Sequence, residues 1–170
     1  FLEWLTDPRL NGGGALMDFG CYGADLITWL MNGQRPVSVS AVTQQIKPHI
    51  YPKVDDEATI IVTYPKAQGI IQASWNWPQS RKDLEVYGET GYVIAVDDKN
   101  MRTRYGYQPE QSSRAEFKNV IPESDPFIYL ADVIRGKIKI PPYGLYSLEN
   151  NLLVVRILEA ARLSAQTGET

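Results

Sequence analysis

The sequence is poor in the residues that most often announce chemistry. It holds one cysteine, Cys21, and one histidine, His49. A single cysteine excludes an internal disulfide and fits a reducing compartment, so the cytoplasm is favoured while export stays open. One histidine and one cysteine are too few for a structural zinc site, and no metal is expected. Basic runs are missing and the formal net charge is −3, which removes the electrostatic footprint of a nucleic-acid binder. Long hydrophobic runs are missing as well. The longest apolar stretches, such as "ATIIV", are strand-sized, so no membrane association is expected. No start or leader precedes Phe1, and the chain reads as a piece of something longer.

What is present is an ordinary globular composition. With 44% hydrophobic and 22% charged residues over 170 positions, the chain can bury the core of one domain. Residues 18–31 set Phe19, Leu26, Ile27 and Leu30 on roughly one helical face, with Gly33 as the stop. "PVSVSAV" alternates Val37, Val39 and Ala41 against Ser38 and Ser40, the pattern of a half-buried strand. "ATIIVTYPKAQGIIQASWNW" reads as a hairpin turning over Pro65 to Gly69, and "DLEVYGETGYVIAVDD" as another turning around Gly88 to Gly91. "NMRTRYGY" and "AEFKNV" read as shorter strands. "DPFIYLADVIRG" has Asp125 as N-cap, Pro126 at the first helical position and Gly136 as stop. The last helix opens at Ser147, carries Leu148, Leu152, Val155, Leu158 or Glu159, and Arg162 along adjacent turns, and ends at Gly168. The order helix, sheet, helices predicts an α+β fold: an open, mostly antiparallel β-sheet with helices covering one face.

The stretch "NGGGALMDFGCYGADL" draws the chemical interest. Asp18, Tyr22 and Asp25 stand at i, i+4 and i+7 and can share a helix face. Asp18 falls in the first turn, where free N–H groups and the macrodipole favour an anion. Gly12, Gly13 and Gly14 lack a Cβ and let another group come close. An ionised Asp beside a Tyr hydroxyl suits proton exchange with a substrate alcohol. The same residues also read as a flexible loop, a capping Asp and a Tyr ring in the core. "GGGALM" matches neither G-x-G-x-x-G nor the Walker phosphate loop, and no strand precedes it.

A second place of interest is "SWNWPQSRKD". Trp75 and Trp77 could stack on sugar C–H surfaces, with Asn76, Arg81 and Lys82 donating to hydroxyls; equally, the indoles could be core and the cations solvated. Alternation sends only one of the two tryptophans to the helix side. His49 sits in a loop from which it could reach a substrate. Cys21 reads as a small packed residue. Asp55, Asp56 and Glu57 read as a solvated strand edge rather than a cation site.

"GGGALMDFGCYGADL" resembles the G-G-G-x-L-x-D-x-G-x-H-x-x-D signature of the glucose–fructose oxidoreductase/inositol dehydrogenase (Gfo/Idh/MocA) family. The likeness continues in order through "VDDEATIIVTYPKAQGIIQASWNWP", "DLEVYGETGYV" and "SLENNLLVVRILEAARLSAQTGE". The resemblance implies an NAD(P)-binding Rossmann domain upstream, outside this chain. Residues 1–170 would then form a single substrate-binding and oligomerisation domain. It places the signature aspartate on Asp18 and the usual histidine on Tyr22, beside a nicotinamide and a lysine from a Glu-Lys-Pro motif absent here. A phenol with a pKa near 10 needs such a cation to serve as a base near neutrality. Gly12, Gly13 and Gly14 are the part of this chain expected beside the cofactor, NAD or NADP, and the chain alone is expected to bind none and to be inactive. Expected partners are a sugar or polyol substrate and further copies of the chain, packed through the open sheet face. The alternative is a non-catalytic sugar-binding or assembly module.

Overall fold

Alternation of apolar and polar residues builds the first sheet. The structure, a computed structural model, describes residues 1–115 and 125–170. After two single-turn helices, α1 (Leu2–Leu5) and α2 (Pro8–Asn11), come α3 (Ala15–Asp18) and α4 (Gly20–Leu30). The strands β1 (Ser38–Gln44), β2 (Glu57–Tyr64) and β3 (Ala67–Ser74) then pair antiparallel in the order β1–β2–β3. On β2, Ala58, Ile60, Val62 and Tyr64 are buried while Glu57, Thr59, Ile61 and Thr63 are half-exposed, so period two decides which face meets the helices.

A four-stranded meander follows, β4 (Leu84–Gly88), β5 (Gly91–Ala95), β6 (Asn100–Tyr105) and β7 (Gln111–Arg114), again wholly antiparallel. α5 (Pro126–Ile134) and α6 (Leu148–Thr167) complete the described chain. These elements fall into two compact units, Phe1–Asn76 with Lys139–Thr170, and Trp77–Ile138. The expected α+β architecture with antiparallel strands is what the structure shows, its strands hydrogen-bonded in two sheets. Among the described residues no helix is long and apolar enough to cross a membrane.

The caps hold as their side chains dictate. The Asp125 carboxylate accepts from Phe127 and Ile128 N–H, and Ser147 Oγ from Asn150 N–H, while Gly168 closes α6 at φ 75°. The core of the first unit joins Ile60, Val62 and Ile71 of the sheet to Val154, Ile157, Leu158 and Ala161 of α6 and Ala24 of α4. Each buried Val, Leu or Ile side chain among them contributes about 1.5–3 kcal/mol relative to exposure.

Several expectations are corrected. The helix expected over 18–31 is broken at Phe19, so Asp18 closes α3 instead of opening a helix. The β2–β3 turn takes only Pro65 and Lys66. Gly69 lies within β3 opposite Val62, where a Cβ would stand 2.5 Å from Ile27 Cδ1 of α4. Val37 lies outside β1 and is 68% exposed. On α6 the stripe Leu148, Leu152, Val155 faces solvent, and Asn150, Leu153, Val154, Ile157, Leu158, Ala161 and Ser164 are buried. The polar members of that buried face have partners elsewhere: Asn150 donates to Asp25 of α4, and Ser164 Oγ accepts from Ala41 N–H on the outer edge of β1. The strand expected over "AEFKNV" lies, beyond Ala115, outside the described residues, and β7 precedes it on the polar "QSSR".

The α4–α6 link carries a prediction. Asn150 Nδ2 donates to Asp25 Oδ1 at 2.5 Å, but the buried Asn150 Oδ1 has no partner. Burial raises the Asp25 pKa, and the Asn150 hydrogen bond only partly opposes it. A raised carboxyl pKa in the fold means this site is most favourable when protonated, and that advantage is lost as pH rises through the folded value. Asp25→Asn keeps the acceptor and supplies a donor for Asn150 Oδ1. Its expected effect at pH 7 is about 1 kcal/mol of added stability, roughly 2–4 °C in Tm, shrinking as pH falls through the raised folded value and level below about pH 4. A lower Tm at pH 7, measured by thermal melting, would count against this account of the link.

Candidate functional site

Three consecutive acids, Asp55, Asp56 and Glu57, organise the site by each holding a different segment. Asp55 Oδ1 accepts from Gly14 N–H at 3.1 Å and its Oδ2 from Leu16 N–H at 2.7 Å. Its main-chain carbonyl accepts from Ala15 N–H at 2.9 Å. The carboxylate thus takes the free amides at the start of α3, where an anion is favoured. That place belongs to Asp55 and not, as the spacing predicts, to Asp18. The approach requires Gly14: a Cβ there would lie 1.8 Å from the Asp55 carbonyl oxygen.

Asp56 is the opposite of a solvated edge. It is fully buried, accepting from Ile46 N–H at 2.7 Å, Lys47 N–H at 2.6 Å and Asn76 Nδ2 at 3.1 Å. Burial alone would raise its pKa; the Ile46 amide, Asn76 and the Lys47 amide outweigh that and hold it below the usual carboxylate range. Glu57 Oε2 accepts from Ser74 Oγ and from Asn76 Nδ2, which ties down the end of β3. Alternation explains the division, since Asp56 shares the buried face of Ala58 and Ile60.

Between these clamps lies Asp18, half-buried, with Oδ2 accepting from the Trp75 indole N–H at 2.9 Å. Asp18 Oδ1 has no hydrogen bond among the described residues. The Trp75 ring packs on Tyr51 at 4.9 Å between centroids. Tyr22 is 56% exposed, its ring 6.2 Å from that of Phe19. Asp25 leaves the expected trio for Asn150. Burial, then the charge of Asp18, pushes the Cys21 thiol up, so Cys21 is a packed residue and no thiolate nucleophile.

The structure therefore brings Asp18, Trp75, Asn76 and the Gly12–Gly14 turn into the first unit. Trp75 contacts the carboxylate instead of standing free as a sugar platform, and Asn76 spends its amide protons on Asp56 and Glu57. His49 is exposed on the β1–β2 loop. Trp77, Arg81 and Lys82 belong to the second unit. There Arg81 lies 4.7 Å over the Trp77 ring and pairs with Asp83 at 2.6 Å. Arg81 and Asp83, with Lys82, Asp97 and Arg102, border a depression of about 500 Å³ that Trp77 does not line. Sequence reasoning missed Tyr51, Asp55 and Asp56. The parity of Asp56 with the buried residues of β2 was the available signal; Tyr51 had none. Among the described residues no cluster of His, Cys, Asp and Glu could hold a metal ion.

Comparison with known proteins agrees with this architecture. Residues 2–94 match the GFO/IDH/MocA C-terminal domain. Trans-1,2-dihydrobenzene-1,2-diol dehydrogenase of Oryctolagus cuniculus is 25% identical over 164 residues, 89% of this chain and 47% of that protein. In fold, the chain is similar to aldose-aldose oxidoreductase from Caulobacter crescentus, solved with glycerol, at TM-score 0.77 and 22% identity over 98% of this chain and 49% of that one. It is likewise similar to an inositol dehydrogenase homolog from Azotobacter vinelandii, solved with NAD+, at TM-score 0.75 and 18% identity over 99% and 51%. The chain thus spans about half the length of these relatives. With residues 2–94 matched and the α+β fold shared, the chain belongs to the Gfo/Idh/MocA family of oxidoreductases, as its C-terminal domain.

Proposed function

We propose that this chain is the substrate side of an NAD(P)-dependent dehydrogenase acting on a sugar, polyol or related diol. The observation that carries the reading is the Asp18 carboxylate, fixed at one oxygen by Trp75 and without a partner at the other among the described residues, with the exposed Tyr22 four residues on. The relatives named above act on, or were solved with, compounds of this hydroxyl-rich kind. The glycine run does not fit a phosphate cradle, because Asp55 occupies the Gly14 and Leu16 amides and brings a negative charge. A dinucleotide would therefore be held by a nucleotide-binding domain outside this chain, where it supplies the hydride acceptor or donor. The part of this chain is the proton: the Asp18 carboxylate accepts the carbinol proton during oxidation and returns it in reduction, while the Tyr22 hydroxyl hydrogen-bonds the carbinol oxygen.

The test uses the two-domain protein with NAD+ and NADP+ against inositol, aldoses and an aromatic dihydrodiol. Asp18→Asn is expected to lower kcat/KM about 100-fold with the fold intact by circular dichroism. Wild-type turnover in that variant would end this reading. A second role, self-association, is supported by the outer face of the first sheet, where Val42 is 66% and Ile70 63% exposed among Ser, Thr and Gln. Sedimentation velocity measures it, and a strict monomer at high concentration would rule it out.

A further inference from the structure

The loop of residues 45–56 has no strand or helix of its own, yet it is tied at many points. Asp56 takes the Ile46 and Lys47 amides; the Lys47 carbonyl accepts from Ile50 and Tyr51 N–H, both at 2.9 Å. Gln45 Nε2 donates to the carbonyls of Tyr51 and Val54. The ends of the loop are pinned too, by Asp56 N–H to the Gln44 carbonyl at 3.0 Å. This bracing sets the main chain of Tyr51 through both its N–H and its carbonyl. The half-buried Tyr51 ring then meets Trp75 at 4.9 Å with the planes tilted by 52°, within the range preferred by aromatic pairs.

Trp75 is held in turn at its main chain, where its N–H donates to the Asp56 carbonyl at 2.9 Å. Main-chain anchoring leaves the indole free to change rotamer, and its N–H points at Asp18 Oδ2 only while the ring stays in one of them. We propose that Tyr51 is a positioning residue for Asp18, acting through the Trp75 indole: it walls the ring into the rotamer that binds Oδ2 and so fixes the orientation of the whole carboxylate. The consequence for catalysis rests on the reading of Asp18 as the proton-handling group; the Tyr51–Trp75–Asp18 coupling itself does not. A residue that orients a catalytic group by packing is expected to change turnover more than substrate affinity.

The test reads the coupling without any substrate. The four tryptophans, Trp4, Trp29, Trp75 and Trp77, give four indole N–H signals in a 15N-labelled sample, and Trp75→Phe identifies one by its loss. Asp18→Asn is expected to move the Trp75 signal and leave the other three. Tyr51→Ala is expected to move the same signal and raise its solvent exchange at least tenfold, while Tyr51→Phe, which keeps the ring, leaves it in place. Tyr51→Leu replaces the alanine variant if thermal melting shows that variant unfolded. In the two-domain protein, Tyr51→Ala is expected to lower kcat about tenfold with KM within twofold, and Tyr51→Phe to restore it. An unmoved Trp75 signal in folded Tyr51→Ala or Tyr51→Leu overturns the proposal, as does a Tyr51→Phe variant that behaves like alanine. If the coupling is seen but Asp18→Asn turns over normally, Tyr51 still positions Asp18 and it is the functional reading that falls.

Discussion

Replacing Asp56 by alanine is expected to lower the stability of the first unit by about 3–4 kcal/mol, seen as a large fall in the urea midpoint. The side chain is completely buried and gathers three donors, from Ile46, Lys47 and Asn76. Its loss orphans the two main-chain amides at about 1–3 kcal/mol each where water cannot reach them. Part of that is recovered by solvent, because Ile46 itself is 53% exposed, which keeps the expected sum below the maximum. Asn76 also keeps its bonds to the Asp56 carbonyl and Glu57. Asp56→Asn should fall between: one oxygen still accepts, but the new amide faces donors. An unfolding free energy for Asp56→Ala within about 1 kcal/mol of wild type would show that the loop is not hung on this residue.

The same carboxylate gives the stability a pH signature. Although burial opposes ionisation, the three donors hold the folded pKa of Asp56 below its unfolded value. The stabilisation is therefore complete above the unfolded value of about 3.9 and disappears as pH falls through the lower folded one. The gap between wild type and Asp56→Asn is expected to narrow below about pH 4 because this site loses stability there, whereas the Asp25 site gains stability as pH falls, its raised pKa favouring the protonated form.

How far sequence reading reaches is visible in the residues themselves. The β2–β3 and β4–β5 hairpins and both ends of α6 were legible because alternation, Ser147 and Gly168 act on neighbours in the chain. The face of α6 was not. Two stripes compete on that helix, and the one whose first turns are apolar, Leu148, Leu152 and Val155, is exposed. The buried stripe contains Asn150 and Ser164, whose partners Asp25 and Ala41 lie 125 and 123 residues away. Polar residues are accepted in a core when such a partner exists, and no local pattern reveals it. The site divides the same way. Asp18 and Tyr22 stood out by their resemblance to a signature and Trp75 by its chemistry, but the Trp75–Asp18 bond spans 57 residues and the Asp55–Gly14 bond spans 41. The break at Phe19 follows from these bonds: Asp55 takes the start of α3, and Asp18 is left at its end.

The triple glycine gives the other large effect. If the run served flexibility alone, alanine at any of its three positions would cost about the same. The surroundings predict a steep order instead. At Gly12 a Cβ would find open space beyond 3.8 Å, and the cost is the φ of +81°, about 1–2 kcal/mol. At Gly13 the obstacle is Met17 Cγ at 2.7 Å, on a flexible side chain that can swing aside. At Gly14 the obstacle is the main chain of Asp55, with O at 1.8 Å and both C and N at 2.8 Å. No rotamer relieves that. Gly14→Ala must push β2 and α3 apart, breaking the bonds from Gly14, Ala15 and Leu16 to Asp55. At about 1 kcal/mol for each neutral bond and more for those to the carboxylate, the expected loss is about 4 kcal/mol. Because Asp18 N–H donates to the Gly14 carbonyl at 3.0 Å, the same substitution displaces the carboxylate and should shift the Trp75 indole signal, which Gly12→Ala and Gly13→Ala leave in place. Equal urea midpoints for the three variants would return the glycines to the role of a flexible approach and remove Asp55 from the architecture of the site.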